Sequence, residues 1–288
     1  MIAGFETCRA GVNGVEIGYE IGGSGPPLLL LHGFPQTRAL WARVAPVLAD
    51  RFTLVCPDLR GYGVSSKPDG VAAYSFREMG RDMAALMAGL GFEQFAVAGH
   101  DRGGRVGHRM ALDMPGRVTR LAVLDIVPTH LILSALVWPV ANAYYHWFFL
   151  AQPAPFPERL IGADPDFYFE ASLTGWGAAR LADFDPDQLD AYRAAWRDPD
   201  TIRAMCNDYR AALEVDLDHD RADRDRRITC PTLVAWGAAG AMGKAYDVAA
   251  AWAGYADDIT PAPMPGGHFF VDTHPENTIA VLRGFFSG

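Results

Sequence analysis

The sequence predicts an α/β fold in which helices cover both faces of a mostly parallel central sheet and a helical cap is inserted into the chain. Three observations predict it. Short, continuously apolar segments such as Leu28–Leu31 are typical of strands buried on both faces. These segments alternate along the chain with segments of helical character. The strand pattern then stops between Pro128 and about Leu217, where aromatic, Ala, Asp and Pro residues indicate a helical insertion.

Each element follows from its local sequence. Asn13-Gly14, between two alternating segments, predicts a β-hairpin. The remaining elements are, in chain order, strand Leu28–Leu31, helix Thr37–Ala49, strand Phe52–Cys56, helix Phe76–Leu90, strand Phe95–Ala98, helix Arg105–Met114, strands Leu121–Leu124 and Thr232–Trp236, and a final helix from about Pro275. We therefore expect a core formed by residues 1–129 and 217–288, and a cap over residues 130–216. An insertion at the carboxyl edge of a parallel sheet would lie over the active site.

Composition narrows the class of protein. The chain has 288 residues, half of them hydrophobic, which fits one large α/β domain with an insertion. Its net charge of −9 and pI near 5.3 argue against a nucleic-acid partner. Four scattered cysteines lack metal or redox spacing, and the first residues lack a secretory pattern, so we expect a cytosolic protein whose thiols are reduced.

The segment Leu131–Ala151 is long and apolar enough to resemble a membrane span. Pro139, Asn142 and His146 interrupt it, and no basic residues flank it closely. Ionisable groups are rare in lipid, so we expect buried helical structure here and no membrane partner.

Residues 99 to 104, Gly-His-Asp-Arg-Gly-Gly, carry the clearest functional signal. They join a predicted strand to a predicted helix, and a glycine-flanked turn at that point is typical of a nucleophile elbow. Such a turn raises one side chain above the sheet edge, at the positive end of the following helix. That residue is commonly serine, but here it is Asp101. A carboxylate is suited to displacing a leaving group from saturated carbon, because the resulting alkyl ester can then be hydrolysed.

A nucleophilic carboxylate needs a base that activates water and an acid that orients this base. His268 lies in a predicted loop between the last strand and the final helix, which matches the order of catalytic residues in α/β-hydrolases. The other seven histidines lack this location, and position alone favours a structural or surface role for them over that of the base. For the acid we favour Asp125, because a charge at the end of a buried strand needs a partner. Asp247 is the alternative acid, and a helix or turn cap is the alternative role of Asp125.

Cleavage of the ester also needs donors for the developing oxyanion. The fold supplies two backbone N–H groups, one directly after the nucleophile and one in the loop after the first parallel strand. Here these belong to Arg102 and to Phe34 in His32-Gly33-Phe34-Pro35. A plain tight turn is the alternative interpretation of that loop.

Arg102 and Arg105 are three residues apart in the first turns of the helix after the nucleophile, so they share a face. Two guanidinium groups beside a catalytic carboxylate indicate an anionic substrate, most simply a carboxylate. The alternatives are salt bridges to structural acids, or exposure of Arg105 to solvent. In the cap, the aromatic run from Tyr144 to Phe149 contains the N–H donors of His146 and Trp147, although such a run is more often core than a ligand site.

Taken together, these features resemble the haloacetate dehalogenases of the α/β-hydrolase fold, specifically the fluoroacetate dehalogenases, over nearly the whole chain. The residues that carry the resemblance are Asp101-Arg102-Gly103-Gly104-Arg105, Asp125, Tyr145-His146-Trp147-Phe148-Phe149, Tyr209 within Cys206-Asn207-Asp208-Tyr209-Arg210, and His268. The resemblance implies Asp101 as nucleophile, His268 as base and Asp125 as its partner. It also implies Arg102 and Arg105 as clamps for the substrate carboxylate, and His146, Trp147 and Tyr209 as halide donors. By the same resemblance, Trp176 lines the pocket and the enzyme is a cytoplasmic homodimer without cofactor.

The expected reaction is therefore the hydrolysis of a small anionic 2-haloacid through an ester on Asp101. An epoxide hydrolase is the nearest rival, although it would need a pair of cap tyrosines and usually carries Trp at position 102. A haloalkane dehalogenase would likewise carry Trp there. A non-catalytic ligand receptor on the same fold is the rival from another class.

Overall fold

The computed structural model describes residues 1–134, 138–176 and 179–288. An eight-stranded sheet forms its centre, in the order β1-β2-β4-β3-β5-β6-β7-β8. Strand β2 pairs antiparallel with β1 and β4, and the other pairs are parallel. The strands are β1 Glu6–Val12, β2 Val15–Gly23, β3 Pro27–Leu31, β4 Thr53–Pro57, β5 Phe95–His100, β6 Val118–Leu124, β7 Thr232–Gly237 and β8 Ile259–Met264. The predicted α/β class and mostly parallel sheet are confirmed.

The hairpin predicted at Asn13-Gly14 joins β1 to β2. Both turn residues have positive φ, 46° for Asn13 and 77° for Gly14, and Val12 pairs directly with Val15. A two-residue turn of this kind matches the twist of the strands it joins, and Asn and Gly tolerate positive φ better than other residues do.

The buried strands divide their side chains between two faces of the sheet. In β3, Leu29 and Leu31 belong to the apolar cluster on one face, whereas Leu28 and Leu30 belong to the cluster on the other. Helices α2 Phe76–Gly89 and α3 Arg102–Asp113 pack on the first face, and α1 Ala45–Leu48 and α15 Pro275–Phe286 pack on the second. Both faces are therefore covered, which explains why the strand sequences are continuously apolar.

One predicted helix is divided. The segment predicted as a single helix, Thr37–Ala49, forms a 3₁₀ turn at Arg38–Trp41, with the Thr37 side chain accepting at its start, and then the short helix α1. Pro46 supplies no N–H for a bond to the carbonyl four residues earlier, so a helix can begin around it but cannot run through it.

A helical insert lies between β6 and β7. Its helices are α4 Thr129–Ser134, α5 Trp138–Ala143, α6 Tyr145–Leu150, α7 Phe156–Ala163, α8 Pro165–Gly175, α9 Pro186–Trp196, α10 Pro199–Ala211 and α11 Leu217–Ala222, with a π-helical turn over Ala212–Asp216. Residues 135–137 and 177–178 of the predicted cap lie outside the described residues. After α10 the chain continues directly into the π-helical turn and then into α11, which lies beyond position 216, the predicted end of the cap. The exact cap boundaries remain predictions. The remaining helices are α12 Ala241–Ala245, α13 Val248–Ala253 and α14 Phe270–Thr273.

The segment that resembled a membrane span is broken into short helices. Its described part, 131–134 and 138–151, contains the end of α4, α5 and α6. Across the described part of the chain, no helix has the length and apolar character needed to cross a bilayer.

The order of the strands places the loops after β3 and β5 next to each other. The chain leaves β3 for β4 on one side and later forms β5 on the other side of β3. In parallel α/β sheets, ligands bind outside the carboxyl ends of the strands at such a reversal of direction. Asp101 follows β5 and Phe34 follows β3, so both lie at this point.

Candidate active site

The connection from β5 to α3 is the sharp turn that the sequence predicts. Asp101 has φ 47° and ψ −114°, in a region that L side chains rarely adopt. The turn also brings backbones close together, since a Cβ on Gly103 would lie 2.5 Å from the His32 carbonyl oxygen. Asp101 is thereby held at the first turn of α3 and is only 5% exposed.

The carboxylate of Asp101 faces the groups expected around a nucleophile. Its Oδ2 accepts a hydrogen bond of 3.0 Å from the backbone N–H of Phe34. Burial raises the pKa of Asp101, but the nearby charges of His268 and the two arginines outweigh burial and lower the pKa to about 2. Asp101 is therefore ionised at neutral pH, as a nucleophile must be.

Asp125 and His268 form a buried pair. Asp125 follows β6 with φ 53°, and its Oδ2 accepts from His268 Nδ1 at 2.6 Å, while its Oδ1 accepts from the backbone N–H of Gly237 at 2.8 Å. Burial lowers the pKa of His268, but the hydrogen bond to Asp125 and the charge of Asp125 raise it by more. Asp247, the alternative acid, is exposed and caps α13 by accepting from Ala250 N. The structure thus brings Asp125, and not Asp247, to His268.

Arg102 is fully buried and ion-paired to Asp208 of the insert. Its Nε donates to Asp208 Oδ2 at 2.9 Å, and its Nη2 donates to the Asp208 carboxylate and, at 2.9 Å, to the Asp208 carbonyl. Tyr62 donates to the same carboxylate at 2.6 Å. The Nη1 of Arg102 has no hydrogen-bond partner among the described residues. A salt bridge to a structural acid, the alternative role of Arg102, therefore engages one edge of its guanidinium. The Nη1 group is left available for a ligand.

Arg105 is buried, and no described residue offers it a carboxylate partner. Its Nη1 donates to the Val127 carbonyl at 3.0 Å and to Thr129 Oγ1 at 2.9 Å, and its guanidinium carbon lies 4.7 Å from the centre of the Trp147 ring. Its Nε has no partner within the described ranges. Burial lowers the pKa of Arg105, although Asp101 opposes this effect. Exposure to solvent, the alternative interpretation, does not apply, because Arg105 is only 3% exposed.

The three expected halide donors come together from two helices of the insert. The centres of the Trp147 and Tyr209 rings are 5.6 Å apart, and those of His146 and Tyr209 are 5.5 Å apart. His146 Nδ1 and the Tyr209 hydroxyl are buried and have no hydrogen-bond partner in the described part of the chain. Burial lowers the pKa of His146 well below its ordinary value and raises that of Tyr209, so both groups are neutral and retain a proton to donate.

Trp176 lies between the expected halide donors and the candidate base, His268. It stacks on His146, with 3.9 Å between ring centres, and meets the His268 ring edge-on at 5.7 Å. It also stacks on Phe34 at 6.0 Å. The pocket residue expected by resemblance thus lies between the cap and the core.

Sequence reasoning missed several buried polar residues around the site. Asp208 is adjacent to Tyr209, but nothing in the sequence assigns it a role, and only its fully buried ion pair with Arg102 reveals one. Gln36, His100 and Asp272 form hydrogen bonds behind His268, and no local pattern distinguishes them from other polar residues. Among residues 1–134, 138–176 and 179–288, no group of three or more His, Cys, Asp or Glu side chains is arranged to hold a metal ion.

Comparisons with known proteins agree with this architecture. A family model for the alpha/beta hydrolase fold matches residues 26–275. A fluoroacetate dehalogenase from Burkholderia sp. is 53% identical over 290 residues, covering 100% of this chain and 95% of that protein. A soluble epoxide hydrolase from Corynebacterium sp. (strain C12) is 32% identical over 282 residues, covering 97% and 96%.

Among solved structures, ALR0039 from Nostoc sp. PCC 7120 superposes with a TM-score of 0.98 at 46% identity, covering 100% of this chain and 99% of that one. The chain belongs to the α/β-hydrolase family and, within it, to the fluoroacetate and haloacetate dehalogenases.

Proposed function

We propose that this enzyme hydrolyses the carbon–halogen bond of haloacetates, fluoroacetate included, to give glycolate and halide. The observation that carries the proposal is Arg105, a buried guanidinium beside Asp101 whose partners are a carbonyl and a hydroxyl. A buried charge without an ion pair is costly, so a site that retains one is suited to binding an anion. The free Nη1 of Arg102 supplies a second donor for the same carboxylate.

In the first step, a carboxylate oxygen of Asp101 attacks the α-carbon as the carbon–halogen bond breaks, and the halide leaves with the bonding electrons. Arg102 and Arg105 fix the substrate carboxylate and so align the α-carbon with Asp101. His146, Trp147 and Tyr209 donate hydrogen bonds to the departing halide, where negative charge develops. The product of this step is an ester between Asp101 and the substrate carbon.

In the second step, His268 takes a proton from water, and the resulting hydroxide attacks the carboxyl carbon of Asp101. The backbone N–H groups of Phe34 and Arg102 stabilise the oxyanion of the tetrahedral intermediate. Its collapse expels the glycolate oxygen, which takes the proton from His268. Asp101 then loses its own proton, so the overall balance is haloacetate and water to glycolate, halide and one proton.

Halide release is the experiment that tests the function. Purified protein is assayed with fluoroacetate, chloroacetate and 2-chloropropionate, and in parallel with styrene oxide. We expect release of halide from the acids and no diol from the epoxide. Diol formation without halide release would contradict the proposal.

Isotope labelling tests the ester intermediate. In a single turnover in heavy-oxygen water, the label should enter the Asp101 carboxylate before it enters the product. Label found in the first product, and absent from the peptide that contains Asp101, would exclude Asp101 as nucleophile.

Epoxide hydrolysis is the second candidate, and one observation favours it. Tyr144 and Tyr209 are both buried in the insert, and the charge of Asp101 acts on the pKa of each. Paired cap tyrosines could protonate an opening epoxide oxygen. Against this candidate, Arg102 and Arg105 would leave two buried guanidinium groups beside a neutral substrate.

A homodimer formed through the insert is part of the proposal. Eight large hydrophobic residues are exposed in the described part of the chain, and five of them lie in the insert. These five are Trp138, Tyr145, Phe156, Leu160 and Phe167. A concentration of exposed apolar side chains in one part of a fold is typical of an interaction surface. We infer a cytoplasmic location from the four free cysteines, and expect neither a membrane nor a nucleic acid as partner.

A further inference from the structure

A chain of buried hydrogen bonds runs behind the proposed base, from α9 of the insert to the His268 loop. The Tyr192 hydroxyl donates to Asp272 Oδ1 at 2.8 Å, and Asp272 Oδ2 lies 2.6 Å from Gln36 Nε2. Gln36 Oε1 lies 3.0 Å from His100 Nδ1, and His100 Nε2 lies 2.9 Å from the His268 carbonyl oxygen. The side chains of Tyr192, Asp272, Gln36 and His100 have no exposure to solvent.

The protons in this chain can be counted. In the arrangement above, both ring nitrogens of His100 face acceptor oxygens, so both must carry a proton and the ring must be cationic. If His100 were neutral and Asp272 ionised, one ring nitrogen of His100 would face an acceptor oxygen with no proton between them. The chain of hydrogen bonds therefore holds one proton more than a neutral histidine and a carboxylate supply.

That proton can reside on Asp272 instead of on His100. Half a turn of the Gln36 side-chain amide exchanges its oxygen and nitrogen without moving any other atom. Asp272 then donates to Gln36 Oε1, Gln36 Nε2 donates to His100 Nδ1, and His100 Nε2 donates to the His268 carbonyl. In this arrangement every donor faces an acceptor and no group is charged.

Burial and geometry favour the uncharged arrangement. Two separated charges inside the protein would each lose their hydration, which a neutral chain avoids. The 2.6 Å distance between Asp272 and Gln36 lies within the usual range for O–H···O and is short for N–H···O. Burial raises the pKa of Asp272 to about 7, although the hydrogen bonds from Tyr192 and Gln36 lower it. Burial lowers the pKa of His100 to about 4.

We propose that Asp272 is protonated in the folded enzyme, and that Asp272, Gln36 and His100 are positioning residues that hold the backbone at His268. His268 is then fixed at two points, because Asp125 holds its Nδ1 and His100 holds its carbonyl. Tyr192 extends this support to the insert, which also carries the proposed halide donors. The positioning role rests on the proposed function, whereas the protonation of Asp272 does not.

Infrared difference spectroscopy of the substrate-free enzyme at pH 6 tests the protonation. The spectrum of Asp272→Asn is subtracted from that of the wild type, and we expect loss of the carbonyl band of a protonated carboxyl group. Asp247→Asn is the matched control, because Asp247 is an exposed carboxylate at a helix cap, and its difference spectrum should show loss of carboxylate bands. Loss of carboxylate bands in Asp272→Asn would overturn the proposal.

The wild-type protein provides a second measurement that needs no folded Asp272 variant. With ¹⁵N-labelled histidine, His100 should give the spectrum of a neutral ring protonated at Nε2, assigned by its absence in His100→Gln. The spectrum of an imidazolium at pH 6 would place the proton on His100 and contradict the proposal.

Two substitutions at Asp272 test the positioning role. Asn keeps a donor towards Gln36 and an acceptor towards Tyr192, so kcat on chloroacetate should stay within about threefold of wild type. Leu removes both, so kcat should fall about tenfold or more while KM changes little. In substrate-free protein, Leu but not Asn should shift the NMR signal of the His268 Nδ1 proton that is bonded to Asp125. An unshifted signal in the folded Leu variant would exclude positioning, even if the enzyme had no dehalogenase activity.

Discussion

At the residue scale, the ion pair between Asp208 and Arg102 determines which part of a guanidinium is left for substrate. Asp208, whose carboxylate also accepts from Tyr62, occupies one edge of Arg102, and Nη1 is left without a partner among the described residues. Burial lowers the pKa of Arg102, but Asp208 raises it by more, so the guanidinium stays charged. An arginine held in this way loses little further freedom when it binds a carboxylate.

Asp208→Asn should therefore weaken both the fold and substrate binding. Breaking a buried ion pair by removing one partner costs about 3–5 kcal/mol, because the other charge is left uncompensated. We expect a lower midpoint of urea unfolding, and a KM for chloroacetate that is raised about tenfold or more in the fraction that folds. Asp200→Asn, on the exposed face of the same helix α10, is the control and should change neither quantity. An unchanged KM in a folded Asp208→Asn variant would contradict this role.

The pH dependence of the reaction should come from His268 and not from Asp101. The pKa of Asp101 is lowered to about 2, so the nucleophile stays ionised, whereas the pKa of His268 is raised above its ordinary value. His268 must be neutral to accept a proton, so steady-state turnover should fall as pH is lowered through this raised pKa. The profile should therefore decline at a higher pH than an unperturbed histidine would give, and stopped-flow and steady-state rates would measure it.

His268→Asn separates the two steps. Displacement of halide does not need the base, so this variant should release one equivalent of halide at a rate that is flat between about pH 5 and pH 8. Mass spectrometry of the intact protein should show a carboxymethyl adduct. Continued turnover near the wild-type rate would show that another group is the base.

Trp147→Phe should discriminate between leaving groups. The change keeps an aromatic ring at the position that packs on Tyr209 and Arg105 but removes the indole N–H. Fluoride concentrates charge on a small atom, so fluoroacetate turnover should fall by about a hundredfold, the usual effect of losing one such donor, and chloroacetate turnover should fall less. An equal decrease for both substrates would mean that Trp147 acts only through packing.

At the scale of elements, the turn between β5 and α3 depends on the absence of side chains. Gly103→Ala would place a Cβ 2.5 Å from the His32 carbonyl oxygen and 2.6 Å from Leu31 Cβ, so the turn or β3 must move. We expect a loss of about 1–3 kcal/mol in the free energy of unfolding, the usual range for overpacking, together with loss of activity. Gly89→Ala at the end of α2 is the control, because in the described part of the chain its Cβ would meet no atom within 4 Å beyond its own helical turn. That change should leave stability equal or slightly higher, since glycine is unfavourable in helices. Chemical denaturation of both variants measures the difference, and equal stabilities would contradict the steric argument.

Sequence patterns located the elements well where the signal is local. The hairpin at Asn13-Gly14 and the continuously apolar strand β3 could be predicted because turn chemistry and two-sided burial leave a mark on consecutive residues. The helix predicted over Thr37–Ala49 was divided instead, because the backbone effect of Pro46 outweighed the apolar pattern.

At the scale of the whole molecule, the exposed apolar side chains of the insert predict the oligomeric state. Leu160 and Phe167 are 55% and 74% exposed on neighbouring helices, α7 and α8. We expect a dimer by size-exclusion chromatography with light scattering, and a shift to monomer in Leu160→Glu with Phe167→Glu. Val47→Glu, an apolar residue that is 44% exposed on the core, is the control and should remain dimeric. A monomeric wild-type protein would contradict the proposed dimer.

The sequence by itself determined the α/β class and the family. It also singled out Asp101, Asp125 and His268 as candidates for the catalytic set, because chain order and glycine-flanked turns are local features. Only the tertiary structure decided which edge of Arg102 remains available, since Asp208 is 106 positions away in the chain. It alone revealed the buried chain from Tyr192 to His268, because Gln36 and Asp272 are 236 positions apart. Polar partners of this kind satisfy each other through space and leave no period or spacing in the sequence, so burial and hydrogen bonding identify them only after the chain has folded.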